Sequence, residues 1–163
     1  MELKWLGTAG FEIKTGSHVF LIDPYLSRSK RSFPKQDIKP CDIKKASRIF
    51  ISHGHFDHVQ DVPQIAEQTG ADIYCSDIVA AFFKNHQIGT QQIQPVLSDK
   101  KKFNFQGYTA QAFFSEHVQF DKKLIIETLF KININLFKYL PLFKKFPCGQ
   151  VLSWRFYIED KII

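Results

Sequence analysis

The sequence predicts an α/β layered domain. In the first hundred positions, short runs of apolar or alternating residues predict strands, and segments that begin with helix-capping residues predict helices. This succession of strands and helices is typical of a layered α/β domain. Two of the runs are continuously apolar, which indicates strands buried on both faces. A cluster of histidine and aspartate residues directly follows the second of them.

The first predicted strands form an antiparallel meander. Glu2–Leu6 and Gly10–Lys14 interleave apolar and polar residues, and a turn then leads into the apolar run Val19–Ile22. This third run ends at Asp23–Pro24, and proline cannot continue a central strand. We therefore predict that Asp23 lies at the carboxyl end of a buried strand.

The middle of the chain predicts strands separated by helices. Polar residues 27–43 are interpreted as a loop, and Arg48–Ser52 as the second buried strand. Asp61 is the predicted N-cap of a helix that ends near Gly70. A second helix is predicted from Ser76 to Asn85, with one apolar face. That face comprises Ile78, Ala81 and Phe82, and the remaining predicted strands are Asp72–Cys75, Gln92–Leu97, Lys101–Phe105 and Tyr108–Phe114.

Composition restricts the class of protein. A chain of 163 residues that is 44% hydrophobic suits a single domain, 1–163, and excludes a disordered protein. No apolar run reaches the roughly 18 residues that span a bilayer, and no signal peptide is visible. The cysteines, Cys41, Cys75 and Cys148, are odd in number and far apart. We expect buried thiols, a reducing compartment and a cytoplasmic location.

The motif His53-x-His55-x-Asp57-His58 carries the functional prediction. Imidazole and carboxylate groups are ligands for zinc and related divalent ions. Side chains two apart share a face in an extended segment, so His53 and His55 are predicted to bind one ion together. Asp57 and His58 would face a neighbouring position and could hold a second ion, while Gly54 would let the backbone pass close to the metal. The alternative, a solvated polar loop, is disfavoured by the predicted strand before the motif and the predicted helix after it.

The sequence resembles the metallo-β-lactamase fold superfamily of metal-dependent hydrolases. Within it, the chain is similar to the lactonase-like and phosphodiesterase-like branch whose members begin with a Trp-Leu-Gly strand. The matching stretches, all within about residues 1–118, are Trp5–Ile13, Phe20–Leu26 and Ile51–His58. The resemblance implies an αββα sandwich, in which two sheets pack together with helices outside.

The resemblance also implies roles for individual residues. His53, His55 and His117 would bind a first metal ion, and Asp57 and His58 a second. Asp23 would orient a ligand histidine from the second coordination shell. The expected cofactor is one or two Zn²⁺ ions, with Mn²⁺ or iron as alternatives that the same donors accept. The remaining histidines, His18 and His86, match nothing in the family and are interpreted as surface residues.

The implied reaction is hydrolysis of a phosphodiester or an ester or lactone in a small-molecule or lipid-like substrate. A metal-bound hydroxide would attack the phosphorus or carbonyl carbon. Asp57 would be the catalytic residue that accepts a hydrogen bond from this nucleophile. No serine or cysteine nucleophile is required.

The chain departs from the family pattern after His117. Family members carry a later aspartate that bridges both ions and a late histidine, whereas this chain ends shortly after a predicted strand and turn, and Asp160 in that turn is a poor substitute. We therefore expect an incomplete sandwich, one sheet with an uncovered inner face rich in phenylalanine, and self-association. The alternative function is a catalytically impaired metal-binding fragment or interaction module of the same fold.

The net charge of +6 is a local property. Residues 122–146 contain six lysines and one glutamate among many apolar and aromatic residues. We interpret this basic aromatic segment first as a helical insertion packed over the active-site mouth. A second interpretation places it on an anionic membrane surface, which would make the protein peripheral to the membrane. A nucleic-acid surface is disfavoured because arginines are few.

Overall fold

A computed structural model describes residues 1–29, 32–85, 88–117 and 145–163. Those residues form ten strands, three α-helices and two short 3-10 helices at Pro40–Asp42 and Thr90–Gln92. The strands are β1 (Glu2–Gly7), β2 (Gly10–Thr15), β3 (His18–Ile22), β4 (Arg48–Phe50), β5 (Asp72–Ser76), β6 (Ile93–Val96), β7 (Lys102–Phe105), β8 (Tyr108–Ser115), β9 (Val151–Ile158) and β10 (Lys161–Ile162). The helices are α1 (Phe56–Val59), α2 (Val62–Thr69) and α3 (Asp77–Lys84).

The larger sheet has six strands in the order β1-β2-β3-β4-β5-β6. Strands β1 to β3 are antiparallel neighbours, as the predicted meander requires, and β3 to β6 are parallel. Ile22 at the end of β3 pairs with Phe50 at the end of β4. The segments that leave these two buried strands therefore start side by side, and the Asp23 backbone N–H donates to the Phe50 carbonyl at 3.1 Å.

The smaller sheet has four antiparallel strands in the order β10-β9-β8-β7. Strand β8 pairs with β9 over its whole length, from Tyr108 opposite Ile158 to Ser115 opposite Val151. The chain therefore leaves β8 and enters β9 at the same end of this sheet. His117 lies at that end, two residues beyond Ser115.

Two apolar cores hold the layers together. On one face of the larger sheet, side chains such as Leu21 and Ile49 pack with Ile65 of α2 and Phe83 of α3. On the other face, inward-pointing aromatic rings from the two sheets pack together. These rings are Phe20, Phe50, Tyr108 and Phe156, and the centroid of Phe156 lies 5.0 Å from each of the two phenylalanines of the larger sheet.

The described residues form three layers of the αββα sandwich: helices, six-stranded sheet and four-stranded sheet. The expectation of an uncovered inner face is wrong around Phe20 and Phe50, because both side chains are fully buried against the smaller sheet. A groove remains between the sheets at one edge. It has a volume of about 410 Å³ and includes Leu3, Phe11, Trp154 and Ile163 in its lining.

The buried face of α3 differs from the prediction. Val79, Ala80 and Phe83 are buried, whereas Ile78 is 47% exposed. This helix is apolar at six successive positions, from Ile78 to Phe83. Periodicity therefore could not select its buried face, and packing against the sheet selects it instead.

Asp61 occupies the predicted position just before α2, but it does not cap that helix with its side chain. Its buried carboxylate accepts hydrogen bonds from the backbone N–H groups of Leu26 and Ser27 at 2.6 and 2.7 Å. The group therefore stabilises the segment that follows β3 rather than the helix. The predicted end of α2 is confirmed, since Gly70 adopts a left-handed conformation with a φ of 70°.

The basic aromatic segment 122–146 lies outside the described residues except for Lys145 and Phe146, and His86 is also outside them. Phe146 is buried, and its ring lies 5.2 Å from that of Phe82 on α3. In the part of the chain that the structure describes, no helix combines the length and apolar character needed to cross a membrane.

Candidate metal centre

The predicted motif begins where β4 ends. His53 follows the buried strand after two residues, and His55 is the residue before α1, with extended backbone angles of −63° and 151°. Asp57 and His58 lie in the single turn of α1. His117 comes from the end of β8 in the other sheet. Side chains from both sheets therefore meet at one edge of the sandwich.

Three of the predicted ligands form one cluster. His53, His55 and His117 each offer a ring nitrogen, and these three atoms all lie within 4.8 Å of one another. His53 Nε2 is 3.0 Å from His55 Nδ1. The ring of His117 lies 5.0 Å from that of His53 and 4.8 Å from that of His55, measured between centroids. Nitrogens bound to one tetrahedral zinc ion are about 3.3 Å apart, so this donor set suits a divalent cation.

Ser52 is a site residue that sequence reasoning missed. Its backbone N–H donates to Asp23 Oδ1 at 2.8 Å, and its hydroxyl donates to Asp23 Oδ2 at 2.5 Å. The same hydroxyl oxygen lies 3.0 Å from His53 Nδ1. Since its own proton goes to the carboxylate, the oxygen can accept one from His53 Nδ1, which leaves His53 Nε2 free to bind a cation.

Asp23 lies between the buried strands and the histidines. It is 3% exposed, and its Oδ2 is 3.0 Å from His58 Nδ1. It thus contacts His58 directly and reaches His53 through Ser52. A carboxylate that binds the remote ring nitrogen fixes the orientation of an imidazole. The placement of Asp23 therefore suits its predicted orienting role.

Two histidines of the cluster, His53 and His55, are held in the neutral form. Burial, together with the imidazoles of His58, His55 and His117, lowers the pKa of His53 from 6.5 to about 3. Burial and the adjacent His117 also lower the pKa of His55. Unprotonated imidazole is the form that binds metal ions, so both residues are ready to act as ligands at neutral pH.

Asp57 and His58 lie at a neighbouring position. His58 Nε2 is 3.9 Å from Asp57 Oδ2, and the Asp57 side chain is 35% exposed. Burial alone would lower the pKa of His58, but its hydrogen bond to Asp23 and the charges of Asp23 and Asp57 outweigh that effect and raise it. These two side chains supply two donors next to the three-histidine cluster.

Other predicted residues lie elsewhere or act differently. His18 is in β3, at the end remote from Asp23, and its ring lies 6.2 Å from that of Tyr108. Burial raises the pKa of the Cys75 thiol to about 12, which removes it as a nucleophile. The absence of a side chain at Gly54 has a cause that the sequence did not indicate, because the space where a side chain would begin is filled by the carbonyl oxygen of Pro147.

The fold and the cluster define a class of protein: a layered α/β sandwich with a candidate cation site of histidines at the edge of its sheets. The model of the beta-lactamase superfamily domain matches residues 18–119. The chain therefore belongs to the beta-lactamase superfamily. The match covers the whole His53–His58 motif and His117.

Individual relatives support this assignment. A UPF0173 metal-dependent hydrolase of Listeria innocua is 30% identical over 131 residues, which are 77% of this chain and 53% of that protein. A second, from Rhizobium etli, is 40% identical over 83 residues, or 50% of this chain and 34% of that protein. The chain thus spans about half the length of the Listeria relative.

Solved structures agree in fold. The metallo hydrolase Igni18 of Ignicoccus hospitalis matches with a TM-score of 0.65 at 15% identity, over 99% of this chain and 57% of that one. An isothiocyanate hydrolase from Delia radicum gut bacteria matches with a TM-score of 0.61 at 20% identity, over 99% and 60% of the two chains. At such identities the likeness shows the shared architecture alone.

Proposed function

We propose that this chain carries the cation-binding part of a metal-dependent hydrolase that acts on a phosphodiester or on an ester or lactone. The observation that supports the proposal is the cluster of His53, His55 and His117, whose ring nitrogens lie within 4.8 Å of one another. The hydrolase names of the relatives support the reaction class.

The roles of the residues follow from their contacts. His53, His55 and His117 would hold the first ion, and Asp57 with His58 would contribute to a second. A divalent ion bound there supplies a nucleophilic water at neutral pH and polarises the oxygen of the substrate. Asp57, whose side chain is 35% exposed, would accept a hydrogen bond from the nucleophilic water at the cluster.

We further propose that the ion is zinc and that the protein works in the cytoplasm. Three nitrogen donors with an open position are typical of catalytic zinc sites, although manganese and iron accept the same donors. The cysteines of the described residues are all free thiols, and Cys75 is buried, which suits a reducing compartment.

The test is reconstitution of the purified chain. Metal-free protein is loaded with Zn²⁺, Mn²⁺ or Fe²⁺ and assayed with an aryl phosphodiester, an aryl ester and a lactone. We expect metal-dependent turnover of one substrate class, lost in His55→Ala and retained in the control His18→Ala. Equal rates with and without metal, or an unchanged rate in His55→Ala, would contradict the proposal.

The second candidate is a metal-binding module with impaired catalysis. It is favoured by the neighbouring position, where the described residues place two donors, Asp57 and His58, against three at the first position. This candidate predicts tight binding of one ion without turnover of any of the three substrates.

A further inference from the structure

Strand β9 and the turn before it contact the backbone on both sides of His53. Trp154 Nε1 donates to the Ile51 carbonyl at 3.0 Å, and the Leu152 N–H donates to the Ser52 carbonyl at 2.7 Å. In the opposite sense, the Gly54 N–H donates to the Cys148 carbonyl at 2.8 Å. The backbone on both sides of His53 is therefore held by residues about a hundred positions later in the chain.

The turn Pro147–Gly149, which we name the clamp, fills the space beside Gly54. A Cβ atom on Gly54 would overlap the carbonyl oxygen of Pro147 and would lie 2.9 Å from Val79 Cγ2. The backbone of Gly54 is not in the left-handed region, so the restriction is steric and does not come from the φ angle. Any side chain at position 54 must therefore push the clamp away or move the segment that carries His53 and His55.

The clamp is itself seated on the start of α3. Gly149 has a φ of 70°, and a Cβ atom there would lie 2.6 Å from Ser76 Oγ. Ser76 is 2% exposed, and its hydroxyl has no hydrogen-bond partner among the residues that the structure describes. The short distance from the built Cβ of Gly149 to Ser76 Oγ shows that the turn is closely packed on this side.

We propose that Gly54 and the clamp are positioning elements that set the separation of the ring nitrogens of His53 and His55 and thereby the affinity of the three-histidine cluster for a divalent ion. The argument is geometric. Gly54 lies between the two ligands, so a displacement of its backbone moves both, and cation sites tolerate errors of only about 0.5 Å in ligand placement. The inference rests on the cation site proposed above.

The decisive experiment is a Co²⁺ titration of the metal-free full chain, followed by the visible absorption of the bound ion. We expect Gly54→Ala to weaken Co²⁺ binding by about 10- to 100-fold, as remote supports of ligands typically do, and to change the absorption spectrum. The matched control is Gly89→Ala. Gly89 has a negative φ of −54°, and a Cβ there would meet only the flexible end of Gln91, so this variant should bind like wild type.

A second pair of variants approaches the clamp from its other side. Gly149→Ala should also weaken Co²⁺ binding, and adding Ser76→Ala should restore part of the loss because it removes the atom that the new methyl group meets. Thermal unfolding of each metal-free variant shows whether it is folded. A merely structural role would lower the melting temperature without altering the spectrum of the bound Co²⁺.

The outcomes distinguish failure of the proposed cation site from failure of the clamp proposal. If wild type binds no Co²⁺, the proposed cation site fails. If wild type binds it and folded Gly54→Ala and Gly149→Ala bind equally well with an unchanged spectrum, the clamp proposal alone is overturned. If Gly54→Ala does not fold, Gly149→Ala decides, and loss of the fold in both variants would also overturn the proposal, since the turn would then support the sandwich rather than the ligands.

Discussion

The two proposed cation positions differ in how completely the described residues build them. The first has three histidine nitrogens within 4.8 Å, drawn from both sheets. The second has one carboxylate and one imidazole, 3.9 Å apart and both on α1. The first position therefore depends on the packing of the two sheets, whereas the second depends on a single turn of helix.

The difference extends to the surroundings. His53 is supported by Ser52 and, through it, by the buried Asp23. Asp57 is one-third exposed, and the carboxylate oxygen nearest His58 Nε2 is beyond hydrogen-bonding distance. A site whose ligands are fixed before the ion arrives binds it more tightly. A single preorganised position and a weaker second one should therefore be distinguishable by experiment.

The largest effect is expected from the first position itself. His55→Ala removes one of three donors, so Zn²⁺ or Co²⁺ affinity should fall by more than the roughly 10- to 100-fold that remote supports contribute. Equilibrium dialysis against a competing chelator measures this loss. His18→Ala, at the far end of β3, is the control. Comparable binding by His55→Ala and wild type would show that His55 is not a ligand at the first position.

The support beneath the first position should matter less than a ligand does. Ser52→Ala deletes the hydroxyl between Asp23 and His53, and we expect a loss of about 10- to 100-fold in metal affinity. The same dialysis experiment gives the value. Ser153→Ala is a suitable comparison, because its hydroxyl contacts Ser115 in the smaller sheet. If both serine variants bind alike, the hydrogen bonds of Ser52 do not act on the cluster.

The two positions should respond to pH with opposite signs in the metal-free protein. The pKa of His53 is about 3 in the fold and 6.5 as a free side chain. Between these two pH values, His53 is protonated in the unfolded chain but not in the folded one. His53 therefore lowers the free energy of unfolding as the pH falls through that window. His58 has a raised pKa, so its contribution is fully present below 6.5 and is lost as the pH rises through the folded value.

Thermal unfolding in chelator at pH 5 and pH 7.5 tests these signs. Relative to wild type, His53→Gln should raise the melting temperature more at pH 5 than at pH 7.5. Relative to wild type, His58→Gln should lower the melting temperature more at pH 5 than at pH 7.5. The expected size is roughly 2–4 °C for each kcal/mol of altered proton linkage. Shifts of the same sign in both variants would mean that the two imidazoles do not have opposite pKa shifts.

The smallest effect on the first ion is expected from the second position. Asp57→Asn keeps the size of the side chain and should change the affinity for the first ion by less than about threefold, since the three histidines remain. Metal analysis of the wild-type chain after extensive dialysis should give close to one ion per chain. Two retained ions would show that the second position is stronger than its two described donors indicate.

Local patterning predicted most of the strands and the motif. The apolar runs before Asp23 and His53 have an unambiguous interpretation, because a strand apolar at every position must be buried on both faces. Gly70 indicated the end of α2, because glycine is common in the left-handed conformation that follows a helix. The spacing of the motif predicted that His53 and His55 share one ion, and the family resemblance implied His117 as the third ligand.

The parts that could not be predicted depend on distant packing. Ser52 has the appearance of an ordinary strand-end residue, and its role exists only because β3 places Asp23 beside it. The function of Gly54 is invisible without Pro147, which follows it by more than ninety positions. Asp61 has the local pattern of a helix cap, but its carboxylate accepts hydrogen bonds from the backbone N–H groups of Leu26 and Ser27 instead. Each of these contacts joins segments that sequence reasoning treated separately.

The hydrogen bond from Trp154 to the Ile51 carbonyl gives the protein an intrinsic optical reporter. The chain contains two tryptophans. Trp5 is 45% exposed on the outer strand, whereas Trp154 is partly buried, with its ring 4.8 Å from that of Phe50. Its indole N–H is bonded to the backbone two residues before His53. Fluorescence emission from this ring, with Trp5 replaced by phenylalanine, should therefore follow loading of the neighbouring site in real time without any added label.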